Sequence, residues 1–257
     1  VAAKKKEYSG RSIAGYLDYL GDINRTISRY LEGERIDASD SSVQQLLSFD
    51  RTYVWKPGCS HLVVVFATAW NNFGISFPVL HSVLRRYPVS VLYIKNADRG
   101  MYCEGYPGMG GTLDEMAERL VTFRRDEGYA RVSVLGFSSG GYASLYAAGA
   151  MAADAYIGFG VRTDWSHTCK IPRSPGRTSP LPEHYTTNTL VNLATHESIR
   201  RISKATMYFG DKDDSDRAHA ANMSGLDRFE LVPVPKSTHN VILSLLAEGR
   251  FEDVLRS

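Results

Sequence analysis

Cysteine is nearly absent from this sequence: three in 257 residues, Cys59, Cys103 and Cys169. An odd, widely spaced set offers neither a disulfide framework nor metal-ligand spacing, and it fits a reducing, cytoplasmic setting. No secretory pattern marks the first residues. Long apolar runs are missing too. The longest, Leu62 to Ala67 and Val89 to Ile94, are of strand length, well short of the roughly 18–20 residues of a membrane span. Nor is there an excess of one charge. Thirty Lys and Arg face 28 Asp and Glu, for a formal net charge of +2. The basic residues are scattered apart from Lys4 to Lys6, so no nucleic-acid footprint is expected. Phosphate-binding glycine patterns are lacking as well. The loop Asn96 to Gly111 (NADRGMYCEGYPGMGG) is glycine-rich, yet it fits neither G-x-G-x-x-G nor the P-loop. No strand ends in the dinucleotide glycine pattern, which argues against a Rossmann-type nucleotide binder. Internal repeats and low-complexity segments are absent.

What remains is an ordinary globular composition, 43% hydrophobic and 23% charged, enough for one α/β domain with a buried sheet. Residues 1–50 read as an N-terminal helical extension. Ile13, Tyr16, Leu17, Leu20, Ile23, Ile27, Tyr30 and Leu31 recur at three- and four-residue steps, giving one apolar stripe. A short helical piece follows at Val43 to Leu47. Residues 51–257 read as the main domain. Tyr53 to Trp55 suits a short edge strand before the Lys56-Pro57-Gly58 turn. Buried strands are expected at His61 to Ala67, Val89 to Ile94, Arg131 to Leu135, Ala155 to Phe159, Ala205 to Phe209 and Arg228 to Val234. Their continuous apolar character suits a sheet covered on both faces. Helices are expected near Phe77 to Arg86, from the capping box Thr112-Leu113-Asp114-Glu115 to about Asp126, at Gly141 to Met151 and at Asn240 to Ala247. Residues 161–200 lack periodicity and read as an irregular excursion over the sheet's edge. Strands alternating with helices imply a mostly parallel, doubly wound sheet.

Gly136-Phe137-Ser138-Ser139-Gly140-Gly141 matches G-x-S-x-G between a strand and a helix. In that context the serine sits on a sharp turn at the sheet's carboxyl edge. Ser138 is the expected nucleophile. A hydroxyl near neutral pH needs an imidazole to take its proton and an acid to hold that imidazole's tautomer. His239 follows the last strand and opens the last helix, so it is the candidate base. His61 and His81 fall on regular elements and read as structural. His167, His184 and His196 lie in the excursion, and His219 on a helix. After the fifth strand comes Gly210-Asp211-Lys212-Asp213-Asp214-Ser215-Asp216. The EF-hand spacing with its final Glu is missing from that loop, and no metal or cofactor is expected.

The order Ser, acid, His along an alternating β/α chain resembles the α/β-hydrolase superfamily over about residues 53–250. The resemblance rests on GFSSGG, the Asp-rich loop and the His after the last strand. It implies an α/β-hydrolase fold with reduced N-terminal strands. Gly-x-x-Asp after the fifth strand points to Asp213 as the acid, with Asp211, Asp214 and Asp216 as alternatives. The implied oxyanion donors are the backbone N–H of Ser139 and that of Ala69 or Trp70. Asp98, Arg99 and Tyr102, together with Arg162 and Trp165, are candidate substrate contacts, and Cys103 is a minor rival nucleophile. The expected function is hydrolysis of a carboxylic ester of a small-molecule acyl substrate through an acyl-enzyme. Transfer of the acyl group to a sugar, alcohol or amine uses the same residues, as do thioesterase and peptidase activities. A non-catalytic binding module on the same fold is the alternative from another class.

Overall fold

A computed structural model describes residues 25–29, 36–96, 102–103, 105–166, 169, 171 and 191–256. Among the described residues seven strands form one sheet: β1 (Thr52–Trp55), β2 (His61–Phe66), β3 (Ser90–Ile94), β4 (Arg131–Phe137), β5 (Ala155–Phe159), β6 (Ala205–Gly210) and β7 (Phe229–Val234). Their order is β1-β3-β2-β4-β5-β6-β7. Only β1 runs antiparallel, paired with β3; the remaining neighbours are parallel. The helices are α1 (Ser41–Ser48), α2 (Phe77–Leu84), α3 (Leu113–Asp126), α4 (Gly141–Ala150), α5 (Asp214–Asn222), α6 (Val241–Ala247) and α7 (Phe251–Arg256).

The continuous apolar runs explain the sandwich. Successive strand residues point to opposite faces, so HLVVVF must bury both. Leu62, Val64 and Phe66 join the core beneath α3 and α4, with Met116, Leu120 and Leu145. Val63 and Val65 join the other core, with Leu80 of α2, Val241 and Ile242 of α6, and Phe251 of α7. Burying each such aliphatic side chain contributes about 1.5–3 kcal/mol. The two edges are treated differently from the centre. β1 is four residues long, and β7 carries Pro233, a residue tolerated where no ladder hydrogen bond is needed.

Helix starts follow local chemistry. Thr112 Oγ1 accepts from Glu115 N–H at 3.1 Å. The Glu115 carboxylate reaches back one residue further than in a standard capping box, accepting from Gly111 N–H at 2.6 Å. The apolar stripe of the N-terminal extension lies largely outside the described residues. Within them, residues 25–29 are helical and Ile27 packs on the second core. α7 was not anticipated, because Phe251 and Val254 are too few to set a period on their own. The excursion is clamped at both ends: Leu193 N–H donates to Thr163 O at 2.8 Å. The Tyr142 hydroxyl donates to Val191 O at 2.9 Å and accepts from Val191 N–H at 3.0 Å.

The strand order positions the site. From β2 the chain goes to β3 on one side, then returns to β4 on the other. Neighbouring connections therefore diverge between the carboxyl ends of β2 and β4, leaving a crevice of the kind where doubly wound sheets bind ligands.

A buried titratable group on α2 affects stability. His81 on α2 is wholly buried, its Nδ1 3.0 Å from the Tyr93 hydroxyl and its ring edge-on to Trp55. Burial holds its pKa down at about 4. The unfolded chain, with an ordinary histidine, binds this proton near pH 6.5. The stabilisation is thus complete above pH 6.5 and is lost as pH falls toward 4. Each pH unit in that window costs about 1.4 kcal/mol for one such group. Urea unfolding at pH 7 and pH 5 is expected to show the loss, and His81→Phe to remove this group's share of it.

Candidate active site

The site begins where β4 ends. Phe137 is extended, and Ser138 then turns into the left-handed region at φ 53° before a 3-10 turn, Ser138–Gly140, runs into α4. For a non-glycine residue that backbone costs about 1–2 kcal/mol, so the surrounding packing must impose it. The neighbouring glycines are what allow the turn. A Cβ at Gly136 would collide with the Ser144 side chain, and one at Gly140 with the carbonyl of Ala67. Ser144, Ala147 and Ala148 are completely buried, which lets α4 lie close on the sheet.

His239 arrives from the far end of the chain, in the loop between β7 and α6. Its Nε2 lies 2.6 Å from Ser138 Oγ. Its Nδ1 lies 2.8 Å and 3.0 Å from the two carboxylate oxygens of Asp216. The ring stacks on Phe137, with centroids 5.5 Å apart and planes 27° from parallel. The Asp216 side chain has no solvent exposure, while that of His239 keeps 26%. A buried hydroxyl, a partly exposed imidazole and a sequestered carboxylate thus form one hydrogen-bonded line.

The structure gives the His239 contact to Asp216 rather than to Asp213. Asp213 is the N-cap of α5, and its Oδ1 accepts the Asp216 N–H at 2.9 Å. That carboxylate is occupied by the helix start, and the one a turn later faces the imidazole. Asp-x-x-Asp at this helix start has the spacing of an N-cap and its third residue. Asp214 pairs with Arg217 on the surface, and Asp211 lies 3.7 Å from Lys212.

Other expected contacts fall elsewhere. Tyr102 is buried, and its hydroxyl lies 3.0 Å from both the Ala67 and Ile94 carbonyls, where it ties together the ends of β2 and β3. It is a strut rather than a substrate contact. The Arg162 guanidinium turns inward to the Ser215 hydroxyl and lies 3.7 Å from Asp216 Oδ1, with its side chain 11% exposed. It faces the buried carboxylate from behind. Trp165 packs edge-on against Tyr142, and its Nε1 is buried without a hydrogen-bond partner among the described residues. Cys103 is buried. Asp98, Arg99, His167 and His184 lie outside the described residues. His61 bonds Ser133 and His196 bonds Ser198. His219 is the neighbour the sequence did not reveal. Its Nδ1 accepts the Thr163 N–H at 3.1 Å. Burial, with the Arg162 cation adding to it, holds its pKa down at about 3, so this imidazole is neutral.

In the loop after β2, Ala69 N–H donates to Ser139 Oγ at 2.7 Å, and Trp70 N–H donates to Thr68 Oγ1 at 3.2 Å. The Trp70 side chain is 54% exposed. Asp213, Asp216 and His239 offer three ligating atoms within 4.8 Å of one another. A helix cap and the imidazole contact already use those atoms, a donor set suited to moving a proton rather than to holding an ion.

With this geometry in view, the chain has the α/β-hydrolase fold. An esterase from Thermogutta terrifontis superposes with a TM-score of 0.52 at 14% identity, covering 80% of this chain and 84% of that one. A carboxylesterase structure from Nitrososphaera gargenis gives 0.55 at 15% identity, over 80% and 92% of the two chains. Est1E from Butyrivibrio proteoclasticus gives 0.51 at 18% identity, over 80% and 93%. At such identities the likeness establishes the fold alone. No protein-family model and no curated protein matches the sequence.

The left-handed turn yields a stability prediction independent of activity. Ser138→Gly is expected to be more stable than Ser138→Ala by about 0.5–1 kcal/mol, the strain relieved being partly offset by the entropy of an unfolded glycine. Chemical denaturation of the two variants measures the difference; equal midpoints would show that the turn is unstrained.

Proposed function

We propose that the protein is a serine esterase that cleaves carboxylic esters of small molecules through an acyl-enzyme. The observation that carries this reading is the hydrogen-bonded line Ser138, His239, Asp216 at the crevice of the sheet. In the proposed reaction Ser138 Oγ attacks the ester carbonyl while His239 Nε2 takes its proton. Asp216 holds the imidazole with Nε2 free to accept, and stabilises the imidazolium once it forms. His239 then gives the proton to the departing alkoxide, and water repeats the sequence to release the acid. The burial of Asp216 suits this role. A carboxylate sequestered from water interacts more strongly with a charged partner than an exposed one does. The solved structures of similar fold that bear esterase names support the same chemistry without extending to any particular substrate.

Active-site labelling tests the nucleophile. A fluorophosphonate is expected to attach once to the wild type and not at all to Ser138→Ala; a label retained by Ser138→Ala would assign the chemistry to another residue. The two aspartates separate kinetically. Asp216→Asn is expected to lower kcat by about 10³–10⁴-fold. Asp213→Asn, which keeps a good helix cap, is expected to stay within a few-fold of wild type. Hydrolysis of short-chain p-nitrophenyl esters reads both.

A further inference from the structure

One backbone donor from the loop after β2, Ala69 or Trp70, was expected to complete an oxyanion hole with Ser139 N–H, and both candidates are already engaged. Trp70 N–H is turned into its own loop, to Thr68 Oγ1 at 3.2 Å. Ala69 N–H points across to the nucleophile turn and donates to Ser139 Oγ at 2.7 Å. An oxyanion held by the Ala69 amide would need the position that the Ser139 oxygen fills. Ser139 directly follows Ser138 and is itself buried, 7% exposed. Its oxygen accepts from the backbone, yet no acceptor for its own proton occurs among the described residues. A buried hydroxyl normally donates as well as accepts. One that is fixed by an amide and retains an unspent proton is a donor prepared for an acceptor that arrives later.

We propose that the Ser139 hydroxyl is a catalytic residue, the side-chain donor to the oxyanion, with the Ala69 amide acting only through it. This rests on the reading of Ser138 as nucleophile. When Ser138 Oγ bonds to the carbonyl carbon, the carbonyl π electrons move onto oxygen and the Ser138 proton passes to His239. The Ser139 proton is not transferred; it is shared in a hydrogen bond with the new oxyanion. The Ala69 N–H polarises the Ser139 hydroxyl as a donor, as linked hydrogen bonds do, and it fixes the oxygen so that little rearrangement accompanies the reaction. The backbone N–H of Ser139 belongs to the 3-10 turn that leads into α4, whose positive end also favours negative charge.

The test compares Ser139→Ala, Ser139→Thr and wild type with p-nitrophenyl acetate, each titrated for active sites with a fluorophosphonate. Ser139→Ala is expected to lose about 10²-fold or more in kcat with little change in KM, the signature of an interaction made only in the transition state. Ser139→Thr, which keeps the hydroxyl, is expected to recover most of the rate. The opposite result is equally clear. Removing the hydroxyl frees the Ala69 amide, so an unchanged or faster Ser139→Ala would make Ala69 the donor and overturn the proposal. Should Ser139→Ala fail to fold, Ser139→Cys keeps the shape with a weak donor: a similar loss supports the proposal and a wild-type rate overturns it. A wild type that takes no label at Ser138 would overturn both this proposal and the esterase reading. A normal label with an unaffected Ser139→Ala overturns this one alone.

Discussion

Everything at this site depends on one contact, the 2.6 Å approach of His239 Nε2 to Ser138 Oγ across 101 residues of chain. Neither residue could hold that distance from a flexible loop. Ser138 is fixed by the tight turn leaving β4, in a backbone state it would not choose. His239 is fixed by the Phe137 ring beneath it and by Asp216 behind it. The strands that carry these residues are adjacent in the sheet or separated by one or two neighbours, and all run parallel. Parallel pairing is what brings the loops after β4, β6 and β7 to a single edge. An antiparallel arrangement would send alternate loops to the opposite end.

The three groups of the line are largely enclosed by protein. Ser138 is buried, the imidazole is partly covered, and the carboxylate is wholly covered. Behind the carboxylate stands a cation, Arg162, with the neutral His219 near that cation. A lone buried carboxylate would be expensive. Here the imidazole and the guanidinium both offset that cost from within the protein, so the acid needs no water. The same arrangement accounts for the inward turn of the guanidinium of Arg162, which follows β5.

Much of the candidate site was legible in advance, and particular residues show why. Ser138 was legible because a tight strand-to-helix turn has a strict local grammar, with glycines where side chains would collide. His239 was legible from its place after the last strand. Asp213 and Asp216 were confused because both carboxylates lie within one helical turn, and spacing alone does not say which faces inward. Arg162 and Tyr102 were taken for substrate contacts because a polar residue at a sheet edge reads identically whether it turns to the ligand or to its own scaffold.

The sequence by itself determined the strands and most of the helices. Apolar runs without alternation require strands covered on both faces, and caps and glycines mark where the chain turns, because these preferences act within a few residues. Only the tertiary structure decided which acid reaches the imidazole, which way the Arg162 guanidinium turns, and that the Ala69 amide is given to Ser139. Those choices depend on directions of side chains and amides brought together from distant segments, and the free energy that selects among them exists only once the packing around them has formed.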